Sequence, residues 1–280
     1  MQVSILLSLI TAAAFGTGDF VGGLSAKRMS VLQVVAGSHF IGLIGVFVAT
    51  VLIDNTFIAS EFALGALGGA FGGIGVGLLY RGLSRGPMSV VAPLTAVTSA
   101  AVPALWGIFT GERFSTIGWA GLALAFVAIW LTSTSSDDTQ APITVQVVAE
   151  ALLAGAGFGT LFIVLDTTED VGAPWPIVGA RLLTSTLLIT WLLSQRQPVF
   201  AKDRTGFGLV ALTGIFDTGS NVLFLYALQV ADLTVVSVLS SLYPIATVLL
   251  ARTVLDERMN RWQLIGFVIA LTATAMIAVG

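Results

Sequence analysis

The sequence predicts an all-α integral membrane protein, with ten transmembrane helices arranged as two inverted five-helix repeats. Three observations carry that reading. The 280 residues are 56% hydrophobic and only 10% charged, and the mean hydropathy is +0.98. A soluble domain carries about 25% charged residues, so lipid, not water, must cover this surface. Second, residues 89–128 read SVVAPLTAVTSAAVPALWGIFTGERFSTIGWAGLALAFVA, and 145 positions on, residues 234–273 read TVVSVLSSLYPIATVLLARTVLDERMNRWQLIGFVIALTA. Val90 and Val91 fall on Val235 and Val236, Leu94 on Leu239, Glu112 and Arg113 on Glu257 and Arg258, and Gly121 on Gly266. A period near half the chain means that one unit is built twice. Third, loops that the repeat makes equivalent carry opposite charge.

The elements follow from the apolar runs. A helix that crosses a bilayer needs about 20 apolar residues, because hydrocarbon offers no partner to an unpaired backbone group. Ten runs qualify: 3–21, 31–53, 62–80, 88–110, 115–132, 144–165, 174–194, 206–227, 232–254 and 260–279. The first begins MQVSILLSLI, without the basic leader of a signal peptide, and so reads as a span. The longest polar stretch, TSTSSDDTQAP at 132–142, separates runs five and six. The expected organisation is a first repeat over 1–133, a linker over 134–143 and a second repeat over 144–280. The match extends beyond the two copies already quoted. Phe15, Gly16 and Thr17 sit on Phe158, Gly159 and Thr160; Gly37 and His39 on Gly179 and Arg181; Leu79 and Tyr80 on Leu225 and Tyr226. Five spans is an odd number, so the second half enters the membrane from the opposite side.

The loop charges agree. Lys27 and Arg28 in loop one–two face Asp166, Glu169 and Asp170 in loop six–seven. Arg81 and Arg85 in loop three–four face Asp232 in loop eight–nine, and Asp54 and Glu61 in loop two–three face Arg196, Lys202 and Arg204 in loop seven–eight. Loops one, three, seven and nine, with the adjoining span ends, hold ten of the 12 Lys and Arg residues; the even-numbered loops hold Arg113, and Arg181 lies within a span. Because positive residues stay cytoplasmic, the odd loops are expected inside and both termini outside. Inverted repeats give two conformations, each open to one side, with the solute site near the midplane between halves. The 31 glycines, many at small-xxx-small spacing such as Gly65, Gly69 and Gly73, let helices approach closely.

Composition narrows the function classes. There is no cysteine and one histidine, His39, so neither thiolate nor His-cluster metal sites are available, and no basic patch points to nucleic acid. No Gly-x-x-x-x-Gly-Lys-Ser/Thr loop is present to hold a nucleotide phosphate, so a gradient is the expected driving force. No cofactor is expected. The expected partners are a small-molecule solute, the lipid bilayer and protons, with the chain acting as a monomer.

The two Glu-Arg copies, the paired Tyr80 and Tyr226, Tyr243-Pro244 inside span nine and the duplicated ten-span layout resemble the EamA-type branch of the drug/metabolite transporter superfamily. The segment Asp19-Phe20-x-Gly-Gly resembles a bacterial subgroup of that branch. The resemblance covers nearly the whole chain. It implies an inner-membrane secondary transporter, commonly an exporter of amino acids, nucleotide-like metabolites, sugars or drugs, working by proton exchange or facilitated diffusion. It also implies cytoplasmic termini, against the charge count. In the first copy Ser99 stands where the second has Pro244, although Pro93 and Pro103 flank it.

Ionisable groups inside a span are costly and mark pathways. Asp217 lies mid-span in run eight, with Asn221 four residues on and therefore on the same helix face. Thr218 and Ser220 make this the most polar intramembrane patch. It reads either as a solute- or proton-binding wall, or as half of a structural pair with Arg181. Arg181 in run seven can hold a carboxylate or phosphate bidentately, or neutralise Asp217 or Glu150. His39, its repeat counterpart, reads as a proton relay or a packing residue. Glu150, two turns into run six, is a further coupling candidate. Asp19 follows Gly16-Thr17-Gly18, where glycines are expected to unwind the span and bare backbone to a ligand; pairing with Lys27 or Arg28 is the alternative. Tyr243 and Phe15 are the aromatic residues best placed to line a cavity. Glu112 and Glu257, in turns, read as structural: they pair with Arg113 or Arg258, or cap a helix N-terminus. Pro93, Pro103 and Pro244 are expected to bend spans four and nine.

Two other classes compete. Gly16-Thr17-Gly18-Asp19 matches the Gly-x-Gly-Asp string of intramembrane aspartyl proteases, with Asp217 as the second carboxylate. That string belongs in a late span, after the other aspartate, and here the order is reversed. A channel or a non-transporting sensor is the other, and for a sensor no soluble stretch beyond about eleven residues is present to carry an output.

Overall fold

The computed structural model describes residues 2–279 except 54, 111–114, 135–142, 169–173, 231–235, 237, 238 and 241. Among the described residues there are ten long helices and no strand: α1 Gln2–Ala26, α2 Val31–Leu52, α3 Ala59–Arg85, α4 Met88–Phe109, α5 Thr116–Thr134, α6 Val145–Asp166, α7 Trp175–Ser194, α8 Arg204–Leu228, α9 Tyr243–Val254 and α10 Arg261–Val279. Seven of them, α1–α4 and α6–α8, are long and apolar enough to cross a membrane; α5, α9 and α10 are apolar over shorter stretches. Large side chains such as Leu6, Phe47, Phe126 and Trp130 point outward and are exposed. In water this would cost about 25 cal/mol for each Å² of apolar surface; against acyl chains it costs nothing.

Local chemistry explains where the helices start. Ser30 and Gln33 form a reciprocal capping box on α2. Thr144 accepts from the Val147 amide at 3.2 Å to start α6, and Asp203 from the Gly206 amide at 2.9 Å to start α8. Asn260 and Gln263 do the same reciprocally for α10, both at 2.9 Å. The N-terminus of α4 is capped from far away: the Glu257 carboxylate accepts from the Met88 and Ser89 amides, each at 3.3 Å. This is the structural role expected of Glu257. Its counterpart Glu112, with Arg113, lies outside the described residues, as do Asp54, Glu169, Asp170, Asp232 and most of the polar linker.

Three sequence expectations change. The helix α1 runs unbroken through Gly16-Thr17-Gly18, so no unwound segment surrounds Asp19. The glycines serve packing instead: a methyl group at Gly16 would overlap the Tyr243 carbonyl, and one at Gly18 would lie 3.2 Å from the Asp217 amide. The helix α3 extends past its apolar run at both ends, so Glu61, Arg81 and Arg85 belong to its terminal turns, not to loops. Pro244 sits in the first turn of α9, where proline loses no hydrogen bond, so it starts that helix instead of bending it. Of the rest of the expected ninth span, Val236, Leu239 and Ser240 are helical and Leu242 is a turn. Pro93 and Pro103 do lie inside α4.

Helices of the first half lie mainly against helices of the second. The helix α1 packs on α8 as α6 packs on α3; α3 packs on α7 as α8 packs on α2; α4 packs on α6 as α9 packs on α1; α2 crosses α7, and α5 crosses α10. The odd-numbered connections gather at one end. Gln33 donates to the Pro198 carbonyl at 2.7 Å, Glu257 caps α4, and Arg81 pairs with Glu150. At the other end Trp175 donates to Asn55 at 2.6 Å. The largest buried apolar cluster seals the odd-loop end, with Phe20, Tyr80, Leu83, Met88, Val91, Val147 and Ala251 at its heart. A methyl group at Gly22 would overlap the Tyr80 ring there. The equivalent positions in the second half are Leu165 and Tyr226; there α6 and α8, the counterparts of α1 and α3, lie farther apart and meet through the stacked rings of Phe162 and Phe224, 5.6 Å between centroids.

Candidate functional site

The polar centre forms where α2, α7 and α8 cross. Small residues let the backbones come together: a methyl at Gly42 would overlap the Thr218 hydroxyl, and one at Gly214 the Ser38 carbonyl. Into this crossing α7 projects Arg181, buried with 8% of its side-chain surface exposed. Its Nη2 lies 2.9 Å from Asp217 Oδ2, its Nε donates to Thr218 Oγ1 at 3.0 Å, and its Nη1 lies 3.0 Å from His39 Nε2. A guanidinium has donors and no acceptor, so His39 Nε2 must accept. The imidazole is then neutral, with its proton on Nδ1, which donates to Thr184 Oγ1 at 2.7 Å. Thr184 passes its own proton to the Ala180 carbonyl at 2.9 Å. Every link has a consistent donor and acceptor. The 3.5 Å approach of His39 Nε2 to Asp217 Oδ2 is therefore a contact between two acceptors held by one arginine, not an ion pair.

The expected residues divide. Asp217, Arg181 and His39 come together. Arg181 chooses Asp217 and not Glu150, and it meets its own repeat counterpart, His39. Asn221 is on the same face of α8, but its amide donates to the Asp217 carbonyl at 2.7 Å, and Ser220 donates to that carbonyl at 2.9 Å. Glu150 lies apart, near the odd-loop end. Its Oε1 takes Arg81 at 2.9 Å, Arg85 at 3.6 Å and Gln146 at 3.0 Å, while Oε2 is buried without a partner. Thr184 is the member that sequence reading missed. Its signal was its place three residues after Arg181, on the same face of α7.

A second wall of the centre faces α1. Asp19, half-buried, follows Gly18, which packs on the Asp217 amide, and lies on α1 between Gly16 and Gly22, which pack on the Tyr243 carbonyl and the Tyr80 ring. Neither hydrogen bond nor ion pair reaches the Asp19 carboxylate from the described residues. Lys27 and Arg28, its alternative partners, lie beyond the end of α1 and do not pair with it. Phe15, one turn before, has its ring 6.4 Å from that of Tyr243 at 58°. The Tyr243 hydroxyl is buried opposite Ser99 without a hydrogen bond of good geometry. Arg181 and Asp217 cancel and His39 is neutral, so Asp19 is the one charge in the centre without a counterion among the described residues. No group of three or more metal-ligating side chains occurs among them.

Comparisons with known proteins bear on this arrangement. The profile of the EamA-like transporter family matches residues 2–134 and again 147–279. An uncharacterized protein of Methanocaldococcus jannaschii is 26% identical over 138 residues, which are 100% of that protein and 49% of this chain. A solved crystal structure, 15% identical, covers 99% of this chain and 96% of its own with a TM-score of 0.62, a likeness of fold. With both halves matched and several helices fit to cross a bilayer, the chain belongs to the EamA-like transporter family, whose members are multi-pass membrane transporters and not enzymes.

Proposed function

We propose that this chain is a secondary active transporter that exports a small metabolite, an amino acid or drug-like compound, by alternating access between two inverted five-helix halves. The halves span 1–133 and 144–280, joined by 134–143. The observation that carries the reading is the polar centre itself: α1, α2, α7, α8 and α9 from both halves converge on Asp19, Arg181, Asp217 and Tyr243, mid-bundle, where such groups are costly unless they serve a path. The gathering of odd connections at one end and even ones at the other supports inversion, as does a relative the length of a single half. The charge count puts the odd-loop end in the cytoplasm and both termini outside the inner membrane. That end is the one sealed by the large apolar cluster, so the conformation described is closed inside and opens outward. Phe15, Tyr243 and Asn221 line the solute path, and coupling runs through a titratable group: Asp217, Asp19 or His39 at the centre, or Glu150 near the odd-loop end.

The test is transport in proteoliposomes. Uptake that saturates, shows counterflow and follows an imposed pH gradient supports the reading, and Asp217→Asn is expected to abolish accumulation against a gradient. A linear, non-saturating flux would replace the transporter by a channel. Wild-type accumulation by Asp217→Asn would remove Asp217 from the coupling path.

A further inference from the structure

Compared position by position, the two ends of the bundle share some contacts and differ in others. The repeat makes α1, α3, α4 and α10 the counterparts of α6, α8, α9 and α5. The α3–α6 contact has its match. Arg81 of α3 meets Glu150 of α6 at 2.9 Å; at the equivalent places Leu7 of α1 packs on the cluster that holds Ala227 of α8. Two other contacts have no such match. Leu83 of α3 is fully buried against α1, where a methyl group at Gly23 would overlap it, whereas its counterpart Gln229 is exposed. Val97, Ala100 and Ala101 of α4 pack in the cluster that holds Ala270 and Ala273 of α10, whereas Ile245, the counterpart of Ala100 on α9, is 37% exposed. Only Gly86 and Pro87 separate α3 from α4, so the two helices form one hairpin, laid down on α1 and α10.

In a chain of inverted halves, the second conformation is the first with the roles of the halves exchanged. Contacts made at both ends survive the exchange, and contacts made at one end do not. The α3–α4 hairpin must therefore leave α1 and α10 when the odd-loop end opens, while α3 keeps its hold on α6. Glu257 bridges this moving boundary. It lies between α9 and α10, and its carboxylate accepts from the Met88 and Ser89 amides at the start of α4, each at 3.3 Å. The backbone aims it there. Asp256 turns the chain through a left-handed conformation, φ 54°, and the Glu257 amide donates to the Ala251 carbonyl at 3.2 Å. A carboxylate against free amides at a helix N-terminus is favourable only within the first turn, so the bond is lost once α4 tilts away from α10.

We propose that Glu257 is a latch: it holds α4 in the conformation closed at the odd-loop end, releases it in the other, and so sets the balance between the two. This rests on the alternating-access reading above and gives it a residue that controls opening at the odd-loop end. The Arg81–Glu150 pair, at the same end and also joining the two halves, is not a latch, because α3 and α6 stay together.

The chain has no cysteine, so single cysteines report one position each. Leu83→Cys marks the odd-loop end and Gln229→Cys the even-loop end. Their alkylation rates with a water-soluble maleimide are measured on the purified full chain in detergent. Adding Glu257→Ala is expected to speed Leu83→Cys about fivefold and to slow Gln229→Cys about twofold, since one end closes as the other opens. Glu257→Asp, too short to reach both amides, should move both rates the same way by less, and it decides the matter if Glu257→Ala does not fold. Arg81→Ala should move neither rate by as much as about twofold. A faster Leu83→Cys with an unchanged Gln229→Cys is local fraying of α4 and overturns the proposal. So do unchanged rates in both Glu257 variants, or an Arg81→Ala that shifts them as far as Glu257→Ala. Saturable uptake of radiolabelled amino acids into vesicles is read separately. Reciprocal labelling without uptake keeps the latch and counts against the transporter; uptake with unmoved labelling keeps the transporter and overturns the latch.

Discussion

Among the described residues, one carboxylate–arginine cluster lies at the centre of the bundle and another at its odd-loop end. At the centre Arg181 and Asp217 expose 8% and 11% of their side-chain surfaces; at the end Arg81 and Arg85 expose 44% and 49% beside Glu150. The central pair is held by one guanidinium whose other nitrogens are bound on α8 and α2, so removing it strands a buried charge. The end cluster has two arginines and a glutamine for one carboxylate oxygen, and its cations keep much of their water. The same ion pair thus has both partners enclosed in one place, while in the other a buried carboxylate reaches arginines that are nearly half exposed.

That contrast can be broken in a graded series. The largest effect belongs to Arg181→Ala, which leaves Asp217 buried and unpaired at a cost of about 3–5 kcal/mol. Denaturation in micelles measures it, and adding Asp217→Asn should recover much of the loss, a coupling that independent residues would not show. Next is Gly22→Ala at the sealed end, where the new methyl overlaps the Tyr80 ring; overpacking of this kind costs about 1–3 kcal/mol. The same change should raise the reactivity of a cysteine introduced near Leu83, because the seal loosens. Glu257→Ala, which removes the distant cap of α4, should cost about 1 kcal/mol. Arg81→Ala should cost about 1 kcal/mol or less, since a half-exposed arginine gains little from its pair and Arg85 and Gln146 remain on the buried Glu150 carboxylate. A loss as large as that of Arg181→Ala would show that the end cluster is as dry as the centre. A measurement without any mutation sharpens the central half of the comparison. The chain has 1 histidine, so ¹⁵N-histidine labelling gives one imidazole, which should show its proton on Nδ1 and a bare Nε2. A proton on Nε2 would mean that Arg181 points elsewhere.

Much of the fold was legible because lipid simplifies the code. Apolar runs of bilayer length became helices, and the duplicated Glu-Arg turn led to the second half. The misses have physical causes. Glu61, Arg81 and Arg85 read as loop because they are charged, yet they continue α3: Glu61 is buried in its first turn, and from its last turn the half-exposed Arg81 and Arg85 find Glu150. Gly16 and Gly18 read as a helix break because glycine is a poor helix former; here they admit α9 and α8 to α1. Pro244 read as a kink because sequence alone does not say which side of it is helical. The central pairing was half legible. Asp217 and Arg181 stood out as charges in apolar runs, but Glu150 competed for the arginine, and only packing decides. The partner that could have been foreseen is His39. In a chain built twice, residues near the axis relating the halves face their own counterparts, and His39 and Arg181 occupy equivalent positions.

The cap that Glu257 places on α4 has a consequence for how the protein is made. The bond to the Met88 amide joins residues 169 positions apart. At a synthesis rate of about 5–20 residues per second, α4 waits on the order of 10–30 s for that carboxylate. The wait is general: α1, α3 and α4 each find their main neighbours in the second half. A nascent chain that has inserted its first five helices therefore holds spans with few partners, and their buried charges and glycine faces stand against lipid. The duplicated halves are units of sequence, not of assembly, and the membrane or its insertion machinery must keep the first half unaggregated until the second arrives.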